Sequence, residues 1–177
     1  IRDQETLQIA AQSALAGHLI LAGMPGDTSA QALRRMLDLG LESHVLNAAL
    51  GAVIALRLPR LLCPECRTPC IPDPARLPTF AADLVADGAK TAGFHAARGC
   101  AACGMSGYRG RTAIYEILTA DDAVRRALAD DASARTVHAA AVDTGMHPLL
   151  ENGLEKARAG LTSLDEILRV APAGGCR

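Results

Sequence analysis

Cys63-Pro64-Glu65-Cys66 and Gly99-Cys100-Ala101-Ala102-Cys103-Gly104 decide how this chain is read. Each holds a C-x-x-C pair, and residues 67–99 lie between the pairs. A C-x-x-C turn can hold two thiolates about 2.3 Å from a shared ion, and two such turns close a tetrahedral site of the kind structural zinc prefers. Pro64 stiffens the first turn, while Gly99 and Gly104 give the second backbone freedom. Four buried thiols or two disulfides are the alternatives, and a lone C-x-x-C among the four cysteines would leave them open. Two pairs in turn-rich settings favour zinc bound by Cys63, Cys66, Cys100 and Cys103. Neither turn carries a histidine or an open ligand position, so the expected role of the metal is to hold a fold together.

Composition narrows the field. Half of the 177 residues are hydrophobic, enough for real cores, but with two Phe, two Tyr and no Trp these cores are built from Ala and Leu. A net charge of −1 and a pI near 6.6 lack the basic footprint of a nucleic-acid binder. The scarcity of aromatic rings also removes stacking surfaces for single strands. The uncharged run from Val45 to Leu56 is too short to cross a bilayer, so no transmembrane segment is expected. Without a recognisable signal peptide, six cysteines fit metal ligation in a reducing cytoplasm better than disulfides. The chain opens Ile1-Arg2-Asp3 without a methionine, as a piece of something longer would.

Periodicity then sets the expected elements. Leu7, Ala10, Ala11, Ala14 and Leu15 predict a helix over 3–16, closed by Gly17. His18-Leu19-Ile20-Leu21 reads as a short buried strand, which would need partner strands from sequence on its N-terminal side. Thr28 and Gln31 form a capping-box pattern for a helix through Leu39, and a further helix is expected from Ser43 to Leu58. Prolines crowd residues 59–78 and mark a boundary. Inside the cysteine-bracketed segment, Thr79 to Ala86 reads as a helix and Phe94-His95-Ala96 as a strand. Thr112 to Leu118 alternates and is rich in β-branched residues, which predicts another strand. Four short capped helices follow, expected as a small bundle: from Thr119 or Asp122 to Ala129, from Ser133 to Gly145, from Leu149 to Ala159, and one opened by the box Ser163-Leu164-Asp165-Glu166. The expected organisation is α/β: residues 1–60 as part of one domain, 61–110 as a tetracysteine module, 111–170 as a helical subdomain and 171–177 as a frayed tail.

These motifs together resemble the C-terminal part of the type II secretion and type IV pilus assembly ATPases. Ile1-Arg2-Asp3-x-Glu5-Thr6 resembles the end of that family's Walker B motif and the helix after it, and Ala16-Gly17-His18-Leu19 its next strand. The two cysteine pairs with Gly107-Tyr108-Arg109-Gly110-Arg111 resemble its tetracysteine module. Gly145-Met146, Gly153-Leu154-x-Lys156 and Gly160-Leu161-Thr162-Ser163-Leu164-x-Glu166 resemble its terminal helices. The resemblance implies that residues 1–60 are the C-terminal piece of a RecA-like ATPase domain. It implies a parent that is a homo-hexameric motor, cytoplasmic and peripheral to the inner membrane, which meets inner-membrane secretion or pilus platform proteins and binds ATP and Mg²⁺. Arg2 and Asp3 resemble residues beside its nucleotide site; an exposed charge pair at a helix start is an equal reading.

The chain also departs from the family. No G-x-x-x-x-G-K-[ST] phosphate loop occurs, and the Walker B glutamate would precede Ile1. Where the family carries Ser-Thr-Leu-His-Thr-Asn, this chain has Ala22-Gly23-Met24-Pro25-Gly26-Asp27, and Leu56-Arg57-Leu58 replaces the family's Gln-Arg-Leu. The chain by itself is therefore expected to be inactive towards ATP, and a stand-alone zinc-stabilised interaction module is the second reading. His18, His44, His95, His138 and His147 show no metal-ligand spacing, Cys70 and Cys176 read as spare thiols, and Arg109 and Arg111 as a solvated pair around Gly110.

Overall fold

The computed structural model describes residues 1–73, 93–131 and 133–171. The helix expected at Thr79 to Ala86 and the expected tail lie outside them. The elements run α1 (Gln4–Leu15), α2 (Ser29–Asp38), α3 (Ser43–Ala49), β1 (Ala52–Arg57), β2 (Arg60–Leu62), β3 (Thr68–Pro69), β4 (His95–Ala96), β5 (Tyr108–Arg111) and β6 (Ile114–Thr119). Four helices follow: α4 (Asp122–Asp130), α5 (Ala134–Asp143), α6 (Leu149–Arg158) and α7 (Leu164–Val170). They form two compact units, each discontinuous in sequence: residues 1–55 with 116–148, and residues 56–115 with 149–173. β1 pairs with β6, and the chain passes from one unit to the other along both strands.

The first unit is helical because its helices are well capped and striped. Asp3 accepts from the Thr6 amide at 2.8 Å, Thr28 from Gln31 at 3.2 Å, Asp121 from Val124 at 2.9 Å and Ser133 from Thr136 at 3.1 Å. Each bond satisfies an orphan N–H of a first turn. Leu7 of α1, Leu33 of α2, Leu46 of α3, Val124 and Leu128 of α4 and Val137 of α5 then meet in one core with Leu118 of β6. α2 packs on α5, α1 on α3, and α3 and α5 both on α4. Glu116, on β6, is buried in this unit and accepts from the Ser29 amide and hydroxyl, each at 2.7 Å, at the start of α2. An acceptor there suits the positive end of a helix.

The second unit gathers three antiparallel or helical pairs. β2 pairs with β5, β3 with β4, and α6 packs on α7. Its core joins Phe94, Ile114, Leu149, Ala157 and Ile167. The four helices expected as one bundle thus divide between the units, α4 and α5 in the first, α6 and α7 in the second.

Two expectations are corrected. Residues 18–21 form no strand: Leu19 and Leu21 are 86% and 88% exposed, because no strand among the described residues lies alongside to take their backbone groups. The helix expected to reach Leu58 stops at Ala49, and residues 52–57 form β1 instead. Gly51 interrupts the helix, the β-branched Val53 and Ile54 suit a strand, and the ladder with β6 settles the choice between two states that the Ala/Leu/Val run serves equally.

Candidate metal centre

Two ladders carry the cysteine turns towards each other. The first turn lies between β2 and β3, the second between β4 and β5. β2 pairs with β5 through Leu62 and Tyr108, and β3 with β4 through Thr68 and Ala96 and through Pro69 and His95. The two turns are therefore clamped face to face at both ends. In the first, the Cys63 carbonyl accepts from Cys66 at 3.3 Å and Arg67 at 3.0 Å. In the second, residues 101–103 make one 3₁₀ turn, and the Cys100 carbonyl accepts from Cys103 at 3.2 Å and Met105 at 2.9 Å. Gly99 sits at φ +92, and a Cβ there would fall 2.5 Å from the Met105 carbonyl oxygen, so the approach to the second turn requires glycine.

The result is a cluster in which the Sγ atoms of Cys63, Cys66, Cys100 and Cys103 all lie within 4.8 Å of one another. Cys63 and Cys100 are 3.9 Å apart, Cys66 and Cys103 3.9 Å, and Cys100 and Cys103 3.7 Å. Four sulfurs each about 2.3 Å from a tetrahedral ion would stand roughly 3.8 Å from one another. The spacing fits a zinc-sized ion, and the all-thiolate donor set is the soft one such an ion selects. Cys63 is fully buried and the other three are partly so. Cys70 lies outside the cluster, its amide bonded to the Phe94 carbonyl.

The four thiols differ electrostatically. The Cys100 amide holds the Cys103 thiol down to about 6, helped by the Gly107 amide; both N–H groups lie 3.2 Å from its sulfur. Burial pushes Cys66 up to about 12 and raises Cys100. The backbone N–H groups of the second turn thus favour the thiolate at Cys103, and ligands still protonated lose their protons when a cation arrives.

The C-terminal helices brace the centre. Arg67 donates to the Gly160 carbonyl at 2.7 Å, the Leu62 amide to Leu161 at 2.9 Å, and the Tyr108 hydroxyl meets that of Ser163 at 2.7 Å. Glu166, 1% exposed, takes both Arg60 and Arg169. Burial pushes its carboxyl up, but the bonds from Arg169 and Arg60 outweigh that and hold it well below the usual carboxylate range. The sequence signals this residue only as a capping-box glutamate. The Ser163 hydroxyl does accept from the Glu166 amide at 3.2 Å, yet the carboxylate is committed to the two arginines. A buried glutamate three residues before Arg169 is the one local hint.

Arg2 is exposed beside Asp3, whose carboxylate caps α1 through the Thr6 amide and hydroxyl. Those bonds lower the Asp3 carboxyl. Residues 22–26 have no regular structure.

The family profile described as type II/IV secretion system protein matches residues 1–169, and the chain belongs to that family. It is 39% identical over 169 residues to the type IV pilus assembly ATPase PilB of Thermus thermophilus, covering 95% of this chain and 19% of that protein. It is 38% identical over 170 residues to type II secretion system protein E of Pseudomonas aeruginosa, covering 96% of this chain and 33% of that one. For the type II secretion system ATPase E of Vibrio cholerae the identity is 37% over 174 residues, with 96% and 33% covered. The chain therefore spans a third or less of the length of these relatives. Among the described residues no helix is long and apolar enough to cross a membrane.

Proposed function

We propose that this chain is the C-terminal portion of a secretion or pilus assembly ATPase, and that it supplies structure to the motor rather than chemistry. The observation that carries this reading is the family match across residues 1–169 joined to a four-cysteine cluster with zinc spacing. In this reading residues 1–60 contribute to a RecA-like ATPase domain, residues 61–110 are a zinc module, and the helices within residues 111–170 dock neighbouring subunits and inner-membrane platform proteins. Cys63, Cys66, Cys100 and Cys103 hold one structural zinc. The parent is a cytoplasmic hexamer at the inner membrane that binds ATP and Mg²⁺. Arg2 and Asp3 line the edge of a nucleotide site whose phosphate-binding parts lie outside this chain.

Crosslinking in cells tests the docking role. Residues 119–170 should crosslink to neighbouring subunits or to membrane components of the secretion machine. Crosslinks confined to one chain would favour the second reading, a stand-alone zinc-stabilised module. The altered loop Ala22–Asp27, with Pro25 where the family has histidine, is the feature that keeps that reading in play.

A further inference from the structure

A cavity of about 250 Å³ opens on the second unit, lined by Arg60, Ser106, Tyr108, Gly110 and Arg111. Arg60 and Arg111 stand directly opposite each other on the β2–β5 ladder. Like charges in that position repel, and a fold carries such a pair at a cost unless something negative lies between.

The protein compensates only one of them. Glu166 takes the Nε and one terminal nitrogen of Arg60, but it also serves Arg169. Arg111 gives a single hydrogen bond, to the Leu58 carbonyl at 3.1 Å, and meets no carboxylate among the described residues. The cluster is three guanidinium groups against one carboxylate. Arg60 is also held in plane, its guanidinium 4.0 Å from the centre of the Tyr108 ring. Its Nη1, and the Nε and Nη2 of Arg111, have no acceptor among the described residues. The Ser106 hydroxyl is already turned to the Cys103 and Tyr108 carbonyls.

We propose that this cavity is an oxyanion site that takes a phosphoryl group between Arg60 and Arg111. Two guanidinium groups arriving from different strands match a tetrahedral, doubly charged group better than one planar carboxylate, and the space exceeds what a carboxylate fills. Free phosphate and a phosphorylated lipid headgroup offer the same chemistry.

The test is calorimetric titration of the zinc-loaded protein with inorganic phosphate, ionic strength being held constant with chloride. Saturable binding is expected in the native protein and in Arg126→Gln, an exposed control on α4. Arg111→Gln should weaken it roughly tenfold, and Arg111→Lys, which keeps the charge and loses the fork, should fall between. Zinc content verifies that each variant is folded; should Arg111→Gln lose zinc, Arg111→Lys carries the comparison. Equal affinity in native protein and Arg111→Lys or Arg111→Gln, or binding of polyglutamate with none of phosphate, overturns the proposal. Vesicles with phosphatidylglycerol, set against phosphatidylcholine alone, separate the sources. Retention on the former that Arg111→Gln abolishes assigns the headgroup, whereas phosphate binding without retention assigns the free ion.

Discussion

Single residues set the metal centre and its brace. Cys100 has its sulfur near those of Cys63 and Cys103, so removing it takes away one ligand and leaves three thiols facing each other. Structural zinc is worth on the order of 10–16 kcal/mol in small metal-folded peptides, as much as the whole stability of an ordinary domain. Cys100→Ser should therefore abolish stoichiometric zinc and unfold the second unit; metal analysis and circular dichroism read both. Native protein without zinc, or with Cys63 joined to Cys66 by a disulfide, would refute the assignment. Glu166 gives a pH signature. Its carboxyl is lower in the folded state than the ordinary value of about 4.3, so its contribution is fully present above that pH and is lost as pH falls towards the folded value. Glu166→Gln should cost about 2 kcal/mol at pH 7, discounted for the solvent around both arginines, and the gap to native protein should begin to narrow below about pH 4 and close only as pH nears the folded value. Denaturant titrations at pH 7 and pH 3.5 check this. A gap that widens in acid would show that the carboxylate is not the stabilising form.

At the scale of elements, α6 and α7 pack closely because Gly153 gives them room. A Cβ there would lie 2.8 Å from Cγ2 of Ile167 and 3.4 Å from Cδ1 of Ile114, both fully buried. Alanine would improve helix propensity by up to about 1 kcal/mol, while overpacking costs about 1–3 kcal/mol. Gly153→Ala should be net destabilising, seen as a lower melting temperature with zinc retained; a rise in melting temperature would mean that the helices slide apart freely. The helix pair could be read from the sequence, since capping and a 3.6-residue stripe are local signals. So could the cysteine turns, because ligand spacing is local too. The clamp between them could not: β4 was expected at Phe94-His95-Ala96, but its partner β3 and the neighbouring β2 hold two and three residues, too few to show any alternation. β1 was hidden for another reason. Ala52 to Arg57 lies in a run that suits helix and strand alike, and only its pairing with β6, far along the chain, decides. Arg60 and Glu166 are equally remote in sequence, so their pairing is invisible before folding.

For the whole molecule, the decisive question is what the chain can do with ATP. Phosphoryl transfer relies on positioning and on charge stabilisation by a phosphate loop, a metal and a placed water. The chain has no phosphate-loop motif, and Pro25 occupies the loop where the family carries a histidine. Proline offers no donor to a phosphate and no proton to relay. Asp3, the acidic residue of the proposed nucleotide edge, is spent on capping α1. The 177-residue protein, zinc-loaded and with magnesium, should therefore release phosphate from ATP at the background rate. Turnover above background that disappears in Asp3→Asn would overturn this and would make Asp3 a working residue rather than a cap. The altered loop has its own test in the parent proposed above. If that protein hydrolyses ATP with Pro25 in place, this branch runs without the histidine. If it is inactive and Pro25→His with the neighbouring loop residues revives it, the loop records a decayed motor whose C-terminal scaffold still folds around its zinc.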